Sequence, residues 1–155
     1  MDTRQTRRFV LGLMETSPAA YLTTVGPDKR PYTRAMLNLR NRRQYPKLVE
    51  LFAPHNEELL VYFTTNTSSR KVQQVRADPA VCVYYCEPDK FHGAMLGGDV
   101  EIVTDPKVKE ALWQDGWEAF YPGGPNDPDH TVLRLAPGFA QGWHGDGSFE
   151  FRVNE

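Results

Sequence analysis

The sequence predicts a mainly β protein, a small closed or nearly closed antiparallel barrel with helices packed on its outside. Segments rich in alternating, β-branched or aromatic residues recur at 20–25, 32–39, 59–64, 81–87, 94–103, 132–135 and 149–153. Most are joined by short turns or by single helices, as antiparallel neighbours are. The chain has 155 residues, 40% hydrophobic and 25% charged, which fits one domain over residues 1–155 with a sizeable core.

The elements follow in order. Residues 3–15 read as an amphipathic helix with Phe9, Val10, Leu13 and Met14 on one side, ended by Ser17-Pro18. Strand 20–25 turns through Gly26-Pro27-Asp28-Lys29-Arg30 into its hairpin partner at 32–39. A polar stretch over 40–58 holds a short helix at 45–52 and leads to strand 59–64. Helix 69–77 directs Val72 and Val75 inward and stops at Asp78-Pro79. Strands 81–87 and 94–103 come next, and Gly97-Gly98 signals a bulge or a close backbone approach. A helix over 105–120 is capped by Asp105 with Pro106 at its first position, before a Pro/Gly-rich loop at 121–129 and two final strands. There is no internal repeat and no linker.

One segment carries chemistry. In Val61-Tyr62-Phe63-Thr64-Thr65-Asn66-Thr67-Ser68-Ser69-Arg70-Lys71, an apolar strand runs into a hydroxyl-rich turn, and two cations open a helix. Hydroxyls and free amide N–H groups can wrap phosphate oxygens there, while Ser69, Arg70 and Lys71 add donors and charge at the positive end of the helix dipole. No glycine run precedes the lysine, so this is not a Walker loop.

The composition excludes other classes. A formal net charge of −2 argues against nucleic-acid or anionic-membrane binding. No apolar run is long enough to span a bilayer, and the first eight residues lead into no signal-peptide core, so the expected location is cytoplasmic. Cys82 and Cys86 fall on one strand face, roughly 13 Å apart at about 3.3 Å per residue, too far to bridge each other. They read as two buried thiols filling space, and no further cysteine or histidine completes a metal site.

Several segments, in order, resemble the pyridoxamine 5′-phosphate oxidase-like superfamily of FMN-binding split β-barrels. These are Pro31-Tyr32-Thr33-Arg34-Ala35-Met36-Leu37, Phe63-Thr64-Thr65-Asn66 with Ser69-Arg70-Lys71, Gly98-Asp99-Val100-Glu101, and Leu135-Ala136-Pro137 with Trp143-His144-Gly145. Asp105-Pro106, Leu112-Trp113 and Tyr121-Pro122-Gly123-Gly124-Pro125 resemble its general stress protein branch. The resemblance implies a six-stranded antiparallel split barrel that binds FMN. It implies a homodimer with FMN at the interface, and it puts Arg34, Ala35, Met36, Leu37, Phe63, Thr64, Thr65, Ser69, Arg70, Lys71 and Trp143 at the cofactor.

Each residue also has a plainer reading. Arg34 is either a solvated arginine or a cation reaching the flavin phosphate or the electron-rich edge of the isoalloxazine, where positive charge tunes the cofactor. Arg70 and Lys71 are either exposed helix residues or phosphate contacts, with Lys71 and Ser69 favoured because neighbouring helix positions diverge. Trp143 is either a core aromatic or a flavin-stacking wall supplied across the dimer. Trp113 and Trp117 read as packing or interface residues. His92 and His144 are the histidines expected near the site, with no assigned role. Arg40, Arg42 and Arg43 read as a solvated basic face. Phe149 and Phe151 stand where authentic pyridoxamine-phosphate oxidases hold substrate with Arg and His, which makes vitamin B6 phosphate a poor substrate. The expected function is an FMN-dependent oxidoreductase passing electrons or hydride from a reduced pyridine nucleotide to a small acceptor. The alternative is a non-catalytic, FMN-sequestering stress protein.

Overall fold

The computed structural model describes residues 1–155. Helix α1 (Thr3–Thr16) begins at a capping box in which the Asp2 carboxylate accepts from the Gln5 N–H and the Gln5 side chain accepts from the Asp2 N–H. It buries Val10, Leu13 and Met14, the face that the 3.6-residue period predicts. Strands β1 (Ala20–Val25) and β2 (Pro31–Met36) form the expected hairpin. The polar stretch that follows contains α2 (Val49–Phe52), flanked by two short 3₁₀ turns. Next come β3 (Val61–Asn66), α3 (Arg70–Ala77), β4 (Ala80–Glu87) and the long β5 (His92–Val103). The chain ends with α4 (Pro106–Leu112), β6 (His130–Leu135), β7 (Phe139–His144) and β8 (Gly147–Arg152).

All strand pairs are antiparallel, and six strands run in the order β2-β1-β4-β5-β6-β3. The β7–β8 hairpin branches from β5, bringing the sheet to eight strands, two more than the barrel expected from sequence. The cause lies in β5. Its first half, His92 to Gly97, pairs with β7, and its second half, Val100 to Val103, pairs with β6. One long strand therefore serves two sheets and curls them into a half-barrel, split where the edges of β2 and β3 remain unpaired with each other. The glycine pair marks the handover. The Phe139 ring lies where a Gly97 side chain would stand. A close backbone approach was expected here, whereas at Gly97 it is a side chain that closes in.

The inward row across β1, β4, β5 and β7 is Leu22, Val83, Leu96 and Ala140, each fully buried. This layer joins the buried face of α1 and Phe63, Leu133 and Leu135 in the main core. A smaller core gathers Leu39, Leu48, Phe52, Leu112, Trp117 and Val132 beside the split. No helix is long and apolar enough to cross a membrane.

Two expectations need correction here. The helix expected over 105–120 stops at Leu112, because Trp113 adopts an extended conformation (ψ 137°) and Gly116 a left-handed one (φ 92°). Trp117 returns on a separate 3₁₀ turn, which places it against the smaller core. The two thiols are indeed unbridged, but both are half-buried on the outer sheet face, and burial pushes Cys82 up.

Candidate functional site

The split between β2 and β3 opens into a cavity of about 510 Å³, within the range typical of small-molecule sites. Ala35, Met36 and Leu37 line it from β2 and the residue beyond, Thr64, Thr65 and Asn66 from the end of β3, and Lys71 from the first turn of α3. Pro18 and Ala19 close it beside β1, and Trp117, Phe120 and Tyr121 form an aromatic wall.

One end of this cavity is built for an anion. Thr64 and Thr65 are buried polar residues, and Lys71 Nζ donates to Thr65 Oγ1 over 2.8 Å. Burial and the nearby Arg34 guanidinium both push the Lys71 ammonium below its ordinary pKa. Neither Lys71 nor Arg34 has a carboxylate within 4.0 Å. Ser69 occupies the N-cap position of α3, yet its hydroxyl makes no capping bond and is buried without a partner. Lys71, half-buried at this end without a counter-charge, has Arg34 nearby in the adjoining cavity and the orphaned Ser69 hydroxyl at the cap of its own helix, a setting that suits an anion. These residues fit the phosphate of FMN, and the aromatic wall with Met36 and Leu37 fits a flat apolar ring.

The turn carrying this end is pinned from the loop before β6. Asp129 accepts from Asn66 Nδ2 at 2.6 Å and from the Ser68 N–H at 3.0 Å, and these bonds hold its carboxyl below the usual range. Thr67 Oγ1 donates to the Pro128 carbonyl. Behind the aromatic wall sits His130, buried at 1% exposure against Trp113, Trp117 and Tyr121. Its Nδ1 lies 2.7 Å from the Pro125 carbonyl, which makes Nδ1 the donor and leaves Nε2 buried without a partner.

The sequence-derived residues divide on this geometry. Ala35, Met36, Leu37, Thr64, Thr65 and Lys71 share the cavity, and Ser69 stands at its helix cap. Phe63 turns its side chain into the main core, because strand alternation puts it on the face of Val61. Arg34 and Arg70 line a neighbouring cavity of about 610 Å³ with Tyr32, Gln73 and Gln74. Trp143 is 55% exposed on β7 and lies away from the first cavity, against Tyr84 and Gly93.

His92 and His144 do not line the cavity either. The β5–β7 register sets them opposite each other, stacked at 4.9 Å with Phe9 edge-on to both. Arg40, read as solvated, is 4% exposed. It donates to the Leu60 carbonyl, the Asn56 side chain and the His55 carbonyl and stacks on Phe52, and burial lowers its pKa to about 10. Phe149 and Phe151 face inward beside Phe9 and the main core.

A sequence profile described as pyridoxamine 5′-phosphate oxidase like matches residues 34–154. The chain belongs to the pyridoxamine 5′-phosphate oxidase-like family. No curated protein matches it. Among solved structures, the chain is similar to a protein from Clostridium acetobutylicum described as related to general stress protein 26. The two share 28% identity over 96% of each chain, with a TM-score of 0.75. It also resembles general stress protein 26 from Bacillus anthracis, at 16% identity over 96% of this chain and 98% of that one, TM-score 0.69. A third is a pyridoxamine 5′-phosphate oxidase-related, FMN binding protein from Nostoc punctiforme, at 16% identity over 97% and 88%, TM-score 0.65. The last two likenesses concern the fold.

Proposed function

We propose that this protein binds FMN in the cavity between β2 and β3 and acts, as a homodimer, as an oxidoreductase. It would pass electrons or hydride from a reduced pyridine nucleotide to a small acceptor. The observation carrying this reading is Lys71, without a counter-charge at one end of a cavity walled by aromatics, with the orphaned Ser69 hydroxyl at its helix cap and the Arg34 guanidinium nearby in the adjoining cavity. FMN, when bound, supplies reversible one- and two-electron chemistry. The chain's own residues do the holding. Lys71 and the Ser69 hydroxyl bind the phosphate, Thr64 and Thr65 surround it, and Thr65 orients the Lys71 ammonium. Trp117 and Tyr121, both buried, line the ring end, with the exposed Phe120 at its rim.

A second reading, FMN sequestration without turnover, draws support from the lining itself. Its titratable side chains are Lys71 and Tyr121, whose phenol burial pushes up, so no histidine or carboxyl group lines the cavity. Vitamin B6 phosphate is a poor candidate substrate, since Phe149 and Phe151 pack inward and offer no charge.

The purified protein, examined by absorption, is expected to carry a flavin spectrum that NADH or NADPH bleaches and an added acceptor restores over many cycles. Tight FMN binding without turnover selects the sequestering reading. Lys71→Ala or Ser69→Ala is expected to weaken FMN binding by about 1–3 kcal/mol, the scale of a charge-assisted hydrogen bond. Unchanged affinity in both variants removes the phosphate assignment.

A further inference from the structure

Arg34 does not stand free beside the seat. Its Nη1 donates to Thr24 Oγ1 at 2.7 Å and to the Tyr32 carbonyl at 3.0 Å, and its Nη2 lies 3.3 Å from Gln74 Oε1. The Thr24 hydroxyl lies 2.5 Å from the same Gln74 oxygen. The direction of this chain is forced. A guanidinium only donates, so Thr24 accepts from Arg34 and passes its own hydrogen to Gln74. The Gln74 amide must then turn its oxygen toward both. Thr24 is fully buried and cannot exchange these bonds for water, and Gln74 is only 9% exposed. Three elements meet here: Thr24 on β1, Arg34 on β2 and Gln74 on α3. Gln74 lies three residues after Lys71, on an adjoining part of the same helix face. The relay therefore fixes α3, with Ser69 and Lys71, against Arg34. It does so with neutral acceptors, which leave the positive charge of Arg34 uncancelled. Arg34 and Gln74 also line the second cavity, whose lining shares no residue with the first.

We propose that Thr24 and Gln74 are positioning residues that hold Arg34 as the end wall of the phosphate seat, so that the site takes a flavin ending in a phosphate monoester. The proposal rests on the FMN reading above. A neutral relay is what an anion seat requires, because a carboxylate at position 74 would fix Arg34 equally well but cancel its charge. A flavin whose phosphate continues into a diester has to displace the wall toward the second cavity.

The test is the affinity of the purified chain for FMN, riboflavin and FAD, read by quenching of flavin fluorescence, in the wild type, Thr24→Val, Thr24→Ser and Gln74→Glu. The wild type is expected to prefer FMN to both others. Thr24→Val is expected to reduce the FMN-to-riboflavin preference roughly tenfold with riboflavin affinity unchanged, the scale of a lost charge-assisted bond. Thr24→Ser restores the preference. Gln74→Glu reduces it while leaving the fold intact by circular dichroism, so it carries the test if Thr24→Val fails to fold. A purely structural role predicts a parallel loss of FMN and riboflavin in Thr24→Val and no loss in Gln74→Glu, and either result overturns the proposal. FAD binding as tightly as FMN overturns the end wall. A wild type that binds no flavin removes the FMN reading itself and the proposal with it, whereas FMN binding with unaltered preference in the variants removes the positioning role alone.

Discussion

His130 shows what one buried residue does to the site. Its Nδ1–H is committed to the Pro125 carbonyl, and burial lowers its pKa against the opposing pull of that hydrogen bond, with the Lys109 ammonium adding to the lowering and Asp127 opposing it more weakly. In the unfolded chain histidine titrates near about 6.5. Below that pH the unfolded state takes up a proton that the folded state refuses, so the unfolded state binds more protons and stability falls as pH falls. The contribution is full above about pH 6.5 and is lost toward the lower folded pKa. Because His130 backs Trp117 and Tyr121, the loss loosens the cavity wall. Urea denaturation from pH 7.5 to 5 is expected to show the wild type losing more stability than His130→Phe; parallel curves remove the assignment.

The same scale shows why part of the site was legible in the sequence. Thr64, Thr65, Ser69 and Lys71 fall within eight residues that make a strand end, a turn and a helix start, so local chemistry placed them together. Thr24, on β1, and Trp117 with Phe120, on the turn after α4, come from elements distant in sequence, and only the tertiary fold brings them near Lys71 and Gln74 of α3. Arg40 looked like one of three surface arginines because the carbonyls that bind it, at His55 and Leu60, lie fifteen and twenty residues away.

At the scale of elements, β5 is the organising strand, and its glycines set how closely β7 can approach. A side chain at Gly142 would collide with the Gly93 carbonyl, a backbone group that cannot turn aside. A side chain at Gly138, in the link before β7, meets nothing within 4 Å. Gly142→Ala is therefore expected to cost about 2–4 kcal/mol by forcing β5 and β7 apart, and Gly138→Ala to stay within about 0.5 kcal/mol of wild type. Chemical denaturation of both variants decides this, and equal stabilities would show that the hairpin shifts freely. Strand existence was readable from alternation for β1 to β6, but β7 was not. Its Ala140, Gln141 and Gly142 carry no β-branched signal, and it is a strand because β5 and β8 flank it.

At the scale of the whole molecule, the outer sheet face carries a patch of exposed aromatic side chains. Tyr21, Tyr84 and Met95 are cross-strand neighbours on β1, β4 and β5, and the Tyr84 phenol lies where a Gly93 side chain would stand. Trp143 is paired with Gly93 on the adjoining strand, and Phe91, at 78% exposure, extends the patch. An exposed patch of this kind suits an interface, and the homodimer proposed above would cover it with its own copy. Trp143 lies outside its own chain's cavity, so the role in flavin stacking inferred for it requires the partner's cavity to come to it. Sedimentation is expected to give a mass near twice 17.7 kDa. Tyr84→Asp places a charge in the middle of the face and is expected to give a monomer that loses FMN, although Tyr84 does not line the cavity between β2 and β3. Trp143→Ala is expected to remain dimeric and to bind FMN roughly tenfold more weakly, the scale of one lost stacking contact with its buried area. A wild-type monomer that holds FMN with full affinity would sink the shared site and leave the cavity of one chain as the whole of it.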